Sequence, residues 1–195
     1  MSADRMLVAV RHGQTDWNVE QRFQGHLDIP LNSVGYRQAQ TLKSRLAGIR
    51  FDAAYSSPLR RARATAEIIA DDLPVSIDER LIEIHHGSWQ GQTKQDIAGQ
   101  WPLEWERWNT EPQRFTPPGG EAADTMRVRV EDFLSGMQGT TILCVSHGVV
   151  IQTLLSVLVG GRYTNHNAYE PPNGSVHTVR FHNSTVSDYS TDRIA

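Results

Sequence analysis

Two histidines of the 195-residue chain stand in the same local setting. His12 follows Val8-Ala9-Val10-Arg11, His147 follows Leu143-Cys144-Val145-Ser146, and a glycine comes directly after each. Both apolar, β-branched runs read as buried strands. In an open α/β sheet, ligands sit just beyond the carboxyl ends of strands, and a glycine there lets backbone approach a ligand closely. A third strand-like stretch, 51–55, runs out in Ser56-Ser57-Pro58 and leads into a helix whose first turns carry Arg60, Arg61 and Arg63. Cations oppose the helix dipole at that end, so arginines among free N–H groups suit an anionic ligand. Arg11 adds a further cation, and Asn18 lies close enough to fold back as a neutral donor. If the strands are parallel, these ends share one rim, and two histidines, two or more arginines and an asparagine converge. A phosphate is the natural guest, because its oxygens need several donors and positive charge. A metal ion is the other option for paired histidines, but arginines repel it and no His-x-x-x-His or cysteine cluster is present.

The elements that must position these groups are those of an α/β fold. Ala39, Leu42 and Leu46 recur at helical spacing and predict an amphipathic helix over 35–46. Ser57 is a good N-cap and Pro58 suits the first turn of the helix that follows, to about residue 70. Residues 74–77 read as a short strand, and 81–91 as a loop with one carboxylate, Glu83, among apolar neighbours. Trp101, Trp105 and Trp108 are spaced four and three apart, one helical face that reads as packing. A helix is expected over 121–137, a strand over 141–145 and an almost wholly apolar, buried helix over 149–159. Residues 175–181 alternate like a strand near a face or edge, and Asn183-Ser184 could turn it into a last hairpin strand.

Composition narrows the function classes. Hydrophobic residues make up 38% and charged residues 21%, with a formal net charge of −3 and no Lys/Arg run. That argues against a nucleic-acid partner. The one cysteine, Cys144, lies in an apolar run, which excludes an internal disulfide and fits a reducing cytosol. The first residues lack the pattern of a signal peptide, and no apolar run approaches the roughly 18 residues of a membrane span. A cytoplasmic protein is expected.

Five motifs occur in order: Arg11-His12-Gly13; Leu59-x-Arg61 after Ser56-Ser57-Pro58; Leu81-x-Glu83-x-x-x-Gly87-x-Trp89-x-Gly91; Pro118-Gly119-Gly120-Glu121; and Ser146-His147-Gly148. Together they resemble the histidine phosphatase superfamily, the phosphoglycerate-mutase-like proteins, over 7–179. The resemblance implies a three-layer α/β/α sandwich around a mostly parallel central sheet, with 1–195 as a single domain. It implies that His12 is the nucleophile and forms a phosphohistidine. Arg11, Arg61 and His147 would hold the phosphoryl oxygens, with hydrogen bonds from Asn18 and the Gly148 N–H, and with Gln24 and Gly25 beside the substrate. Glu83 would protonate the leaving alkoxide and then activate water; Asp16 and Glu121 are the next carboxylates by motif. The motif spacing selects Arg61 and leaves Arg60 and Arg63 at the surface. Ala122 stands where the family usually has a serine, which touches only a turn or helix cap. No cofactor and no metal are called for.

Three readings compete. One is a phosphatase acting on a small phosphomonoester, another a cofactor-dependent phosphoglycerate mutase, and the third an inactive phosphoester-binding protein. The segment 91–119 is shorter than the mutase insertion, and Gln24-Gly25 replaces the Thr- or Ser-Gly usual in mutases. Both points favour the phosphatase. His85 and His86, and less so His26, lie in loops that could reach the substrate, whereas His166, His177 and His182 read as structural or surface residues. The identity of the phosphorylated metabolite stays open, as does the choice between monomer and homodimer.

Overall fold

The computed structural model describes residues 4–112, 114–160, 170–182 and 185–192. Its centre is a pair of strands, β1 (Arg5–Arg11) and β4 (Thr141–Ser146), which pair in parallel from Met6 against Thr141 to Arg11 against Ser146. Both are apolar on both sides, as strands covered on two faces must be. β2 (Ala53–Ser56) pairs in parallel with β4, and β3 (Val75–Ile77) with β2. On the other side β5 (Val176–His182) runs antiparallel to β1, and β6 (Thr185–Asp192) antiparallel to β5. The six-stranded order is β3-β2-β4-β1-β5-β6. This is the mostly parallel sheet expected, with an antiparallel hairpin at one edge.

Alternation along the central strands builds the three layers. Leu7 and Ala9 of β1, with Ile142 and Cys144 of β4, pack against Val130 and Phe133 of α6 (Ala123–Gly136) and Ile151 and Leu154 of α7 (Gly148–Leu158). Val8, Val10, Leu143 and Val145 face the other way, against Leu42 and Leu46 of α2 (Ser33–Leu46) and Ala62, Ala66 and Ile69 of α3 (Arg60–Ala70). Each fully buried Leu, Ile, Val or Phe stabilises the fold by about 1.5–3 kcal/mol relative to exposure. The chain leaving β1 runs by α2 to β2, beyond β4. The chain leaving β4 runs by α7, on the opposite face, towards β5 beyond β1. Neighbouring strands whose exits diverge in this way leave a crevice at their carboxyl ends. Among the described residues no helix is long and apolar enough to cross a membrane.

Three local expectations are corrected. Pro58 and Leu59 precede α3, whose N-cap is Leu59 with no side-chain cap, so Ser57 does not cap it. Asp28 Oδ1 instead accepts from Arg60 N–H at 2.7 Å. The three tryptophans do not share one helix. Pro102 cannot donate to the turn before it and takes the first turn of α5 (Pro102–Thr110), so α4 (Lys94–Gln100) stops short and Trp101 sits at the junction. Finally, α6 begins at Ala123, and its N-cap Ala122 has no side chain to accept from the first turn. A serine there would add about 1 kcal/mol of helix stability.

Candidate active site

The β1–β4 register sets His12 and His147 side by side. His12 N–H donates to Ser146 O at 3.0 Å, and the two rings lie edge to face with centroids 5.1 Å apart. Behind them, α2 abuts the turn after His12, and a Cβ on Gly13 would come within 2.5 Å of Gly35 O. Only glycine at that site permits this approach. His12 Nδ1 lies 2.6 Å from Gly13 O. A carbonyl can only accept, so Nδ1 carries the proton. Burial, with Arg61 and then Arg11 nearby, holds the His12 pKa well below 6.5. The ring is therefore neutral, and its Nε2 keeps a free lone pair.

A cavity of about 300 Å³ opens at this rim, at the small end of ligand sites. Arg11, His12, Asn18, Gln24, Gly25, Arg61, Glu83 and Gly148 all line it. Arg61 is only 1% exposed; its Nη1 and Nη2 donate to Leu27 O and Gly25 O, each at 2.8 Å. Burial lowers its pKa to about 10, partly offset by Glu83 and Asp28, so it stays a cation at neutral pH. Arg60 is exposed and Arg63 pairs with Glu67 on the surface, as expected. Arg11 Nη1 donates to Glu170 Oε1 at 3.0 Å and to Pro171 O. A Cβ on Gly148 would sit 3.3 Å from the Arg11 guanidinium carbon, so glycine gives that side chain room. Asn18 Oδ1 accepts from Thr15 N–H at 2.9 Å and from Asn173 Nδ2 at 3.3 Å, which leaves its NH2 as the end that can donate. Arg11 Nε and Arg61 Nε are buried donors, and His147 Nδ1 a buried ring nitrogen, without a hydrogen-bond partner among the described residues. Such groups fit an anionic guest.

His147 differs from the rest, for it is wholly buried and does not line the cavity wall. Its Nε2 lies 2.7 Å from Ser57 Oγ, which also accepts from Leu59 N–H at 3.3 Å. The Ser57 hydroxyl can donate to Nε2 or accept from it, and this contact holds the ring in place. Burial, Arg61 and His12 hold the His147 pKa well below 6.5, so this ring too is neutral.

Glu83 is 8% exposed; its Oε1 accepts from Ile84 N–H at 2.9 Å and its Oε2 from Val149 N–H, in the first turn of α7, at 3.4 Å. Burial raises its pKa against the opposing pull of that Ile84 N–H, Arg61 and Arg11. A carboxyl so placed can hold a proton in reserve. Glu121 is the poorer donor candidate: both its oxygens face Arg129, at 2.8 and 2.9 Å. Asp16 lies exposed in the first turn of α1 (Asp16–Val19).

One side of the cavity wall is aromatic. His86 is buried and packs edge-on against Phe23 (4.7 Å) and Trp108 (5.6 Å), and Phe23, Trp105, Trp108 and Asn109 complete that wall. The tryptophans of α5 therefore do two things: they pack with Trp89 and Phe115, and they face the cavity. Of the loop histidines, His86 reaches the cavity, whereas His85 accepts from Gly87 N–H and His26 bonds Glu83 O. His177 is buried beside Ser175, and His182 is exposed and pairs with Asp4; His166 lies outside the described residues. Sequence reasoning missed Glu170, Lys94 and Asn173. Glu170 bridges Arg11 and Lys94 at the cavity, 3.0 and 3.8 Å away. Asn173 Nδ2 donates to His12 O at 3.1 Å. Its Pro171-Pro172-Asn173-Gly174 setting is a turn signal that could have flagged it.

Comparison with known proteins places the chain in a family. The family model described as "Histidine phosphatase superfamily (branch 1)" matches residues 7–187. Phosphoserine phosphatase 1 of Hydrogenobacter thermophilus is 36% identical over 160 residues, 79% of this chain and 76% of that protein. A 2,3-bisphosphoglycerate-dependent phosphoglycerate mutase of a Methylobacterium species is 35% identical over 174 residues, 80% and 82% of the two. Among solved structures, a mycobacterial glucosyl-3-phosphoglycerate phosphatase complexed with VO3 superposes with a TM-score of 0.82 at 31% identity, covering 96% of this chain and 97% of that one. With its motifs on the strand ends and the family match spanning nearly its full length, the chain belongs to the histidine phosphatase superfamily.

Proposed function

We propose that the 195 residues act as one phosphatase domain that hydrolyses a small phosphorylated metabolite through a phosphohistidine on His12. The observation that carries this reading is the His12 tautomer. With Nδ1–H given to Gly13 O and the ring neutral, Nε2 is a nucleophile that needs no added base. Its lone pair attacks phosphorus as the bond to the leaving oxygen breaks. Arg11 and Arg61 stabilise charge on the equatorial oxygens, as a metal would elsewhere, with Asn18 and the Gly148 N–H as further donors and His147 packed against His12. Glu83, whose pKa burial raises, gives a proton to the departing alkoxide. In the second half the Glu83 carboxylate takes a proton from water, whose oxygen attacks phosphorus. The P–N bond breaks, and His12 returns neutral.

A mutase relative shares a comparable identity, so the mutase is the reading to test against. The short 91–119 segment and Gln24-Gly25 support hydrolysis over transfer. Incubation with 3-phosphoglycerate and 2,3-bisphosphoglycerate, followed for isomer exchange and for free phosphate, separates the two. A screen of phosphorylated metabolites then finds the substrate. Phosphate release without exchange is expected; exchange faster than release would reverse the reading.

A further inference from the structure

The loop 24–28 joins the phosphate clamp to the carboxyl of Glu83. Gly25 O and Leu27 O accept from Arg61, and Asp28 Oδ1 accepts from Arg60 N–H. Between them His26 bonds in another direction, with its Nε2 2.8 Å from Glu83 O. The acceptor is a carbonyl, so Nε2 carries the proton and donates. His26 is itself held, by Gln90 Oε1, which accepts its main-chain N–H at 2.8 Å, and by the His85 ring edge-on at 4.8 Å.

The carbonyl His26 holds belongs to the peptide unit that also contains Ile84 N–H. That same N–H binds Glu83 Oε1 at 2.9 Å. One rigid plane therefore carries the His26 contact at one end and the carboxyl at the other. Tilting the plane moves the carboxyl with it. A misplacement of about 1 Å can cost on the order of 100-fold in rate, so such a tether has kinetic consequences.

We propose that His26 is a positioning residue: by fixing the Glu83–Ile84 peptide plane it sets the proton donor in register with the phosphoryl group that Arg61, anchored by the same loop, holds. The inference rests on the reading of Glu83 as the acid.

The test compares His26→Ala and His26→Gln with the wild type, on an alkyl phosphate and on p-nitrophenyl phosphate, under single-turnover conditions. A nitrophenolate leaves with little need of a proton. His26→Ala should lose about 10-fold or more on the alkyl ester and under about 3-fold on the aryl ester. Gln can donate at similar reach and should restore most of the loss. If His26→Ala fails to fold, His26→Asn, polar but too short, takes its place. Equal losses on both esters, or a folded His26→Gln no better than the truncated variant, would overturn the proposal. Glu83→Gln is run beside them. Leaving-group dependence there but not in His26→Ala ends the positioning role and spares the acid. No such dependence in Glu83→Gln removes the acid, and the role of His26 with it.

Discussion

The two ends of the cavity are built by different forces. At the phosphate end, directional hydrogen bonds, mostly to backbone, fix the side chains: His12 to Gly13 O, Arg61 to Gly25 O and Leu27 O, Glu83 to Ile84 N–H, and Asn18 to Thr15 N–H. At the far end, Phe23, His86, Trp105 and Trp108 hold one another by edge-to-face ring contacts. Trp105 is half-buried there, and Lys94 stands 49% exposed at the mouth. Hydrogen bonds fix a group to within tenths of an ångström, whereas ring contacts tolerate sliding. The first arrangement suits a transition state of fixed shape. The second suits a leaving group whose shape differs between enzymes of one chemistry.

Substitutions at the two ends should therefore fail differently. The largest effect belongs to Arg61. Arg61→Ala should lower kcat/KM by about 100-fold or more for every phosphate ester tried, because the transferred group is common to all. Arg60→Ala, at the exposed neighbouring position, should cost under about 3-fold by the same comparison. Steady-state kinetics on an alkyl and an aryl ester checks both, and a mild Arg61→Ala beside a crippled Arg60→Ala would reverse the assignment.

An intermediate effect is expected from Trp105→Ala. Loss of that ring from the cavity wall should reduce kcat/KM by about 10-fold for the preferred metabolite. Competitive inhibition by inorganic phosphate should stay unchanged, because phosphate occupies only the other end. A parallel rise in the phosphate inhibition constant would show that the two ends are not separable.

The smallest effect is on stability against pH. His12 and His147 resist protonation in the folded chain, by burial and by Arg61, while in the unfolded chain they titrate near 6.5. The unfolded state thus binds more protons below 6.5, and stability must fall with pH there, by up to about 1.4 kcal/mol per pH unit per histidine. Glu83 acts in the opposite sense. Its raised pKa costs stability above the ordinary carboxylate range, and that cost eases as pH falls. Denaturant unfolding at a series of pH values should give a shallower decline below 6.5 in His147→Asn than in the wild type. Parallel curves would contradict the neutral assignment of His147.

The same contrast explains what was legible in the sequence. The strand ends announced themselves, because an apolar run closing in His-Gly is a local pattern and the sheet register does the rest. The choice of Arg61 over Arg60 for the rim was legible from motif spacing. Glu170, Lys94 and Asn173 were not, for they come from segments remote in sequence that meet only when β5 closes beside β1 and α4 packs in front. The tryptophan stretch misled because spacing was weighed without Pro102, which splits it into two helices. Ser57 misled for a different reason. A serine before a helix serves as a cap or as a partner to a distant side chain, and His147, ninety residues on, took its hydroxyl.

The proposed mechanism turns on His12 Nε2 as the nucleophile, and trapping the covalent intermediate tests that most directly. The wild-type chain is mixed with a phosphate-labelled substrate for a single turnover, quenched in alkaline detergent and digested, and the label is mapped. The expected result is label on His12, stable to alkali, lost in mild acid and absent from His12→Ala. Label at wild-type level in His12→Ala, or on any other residue, would contradict it.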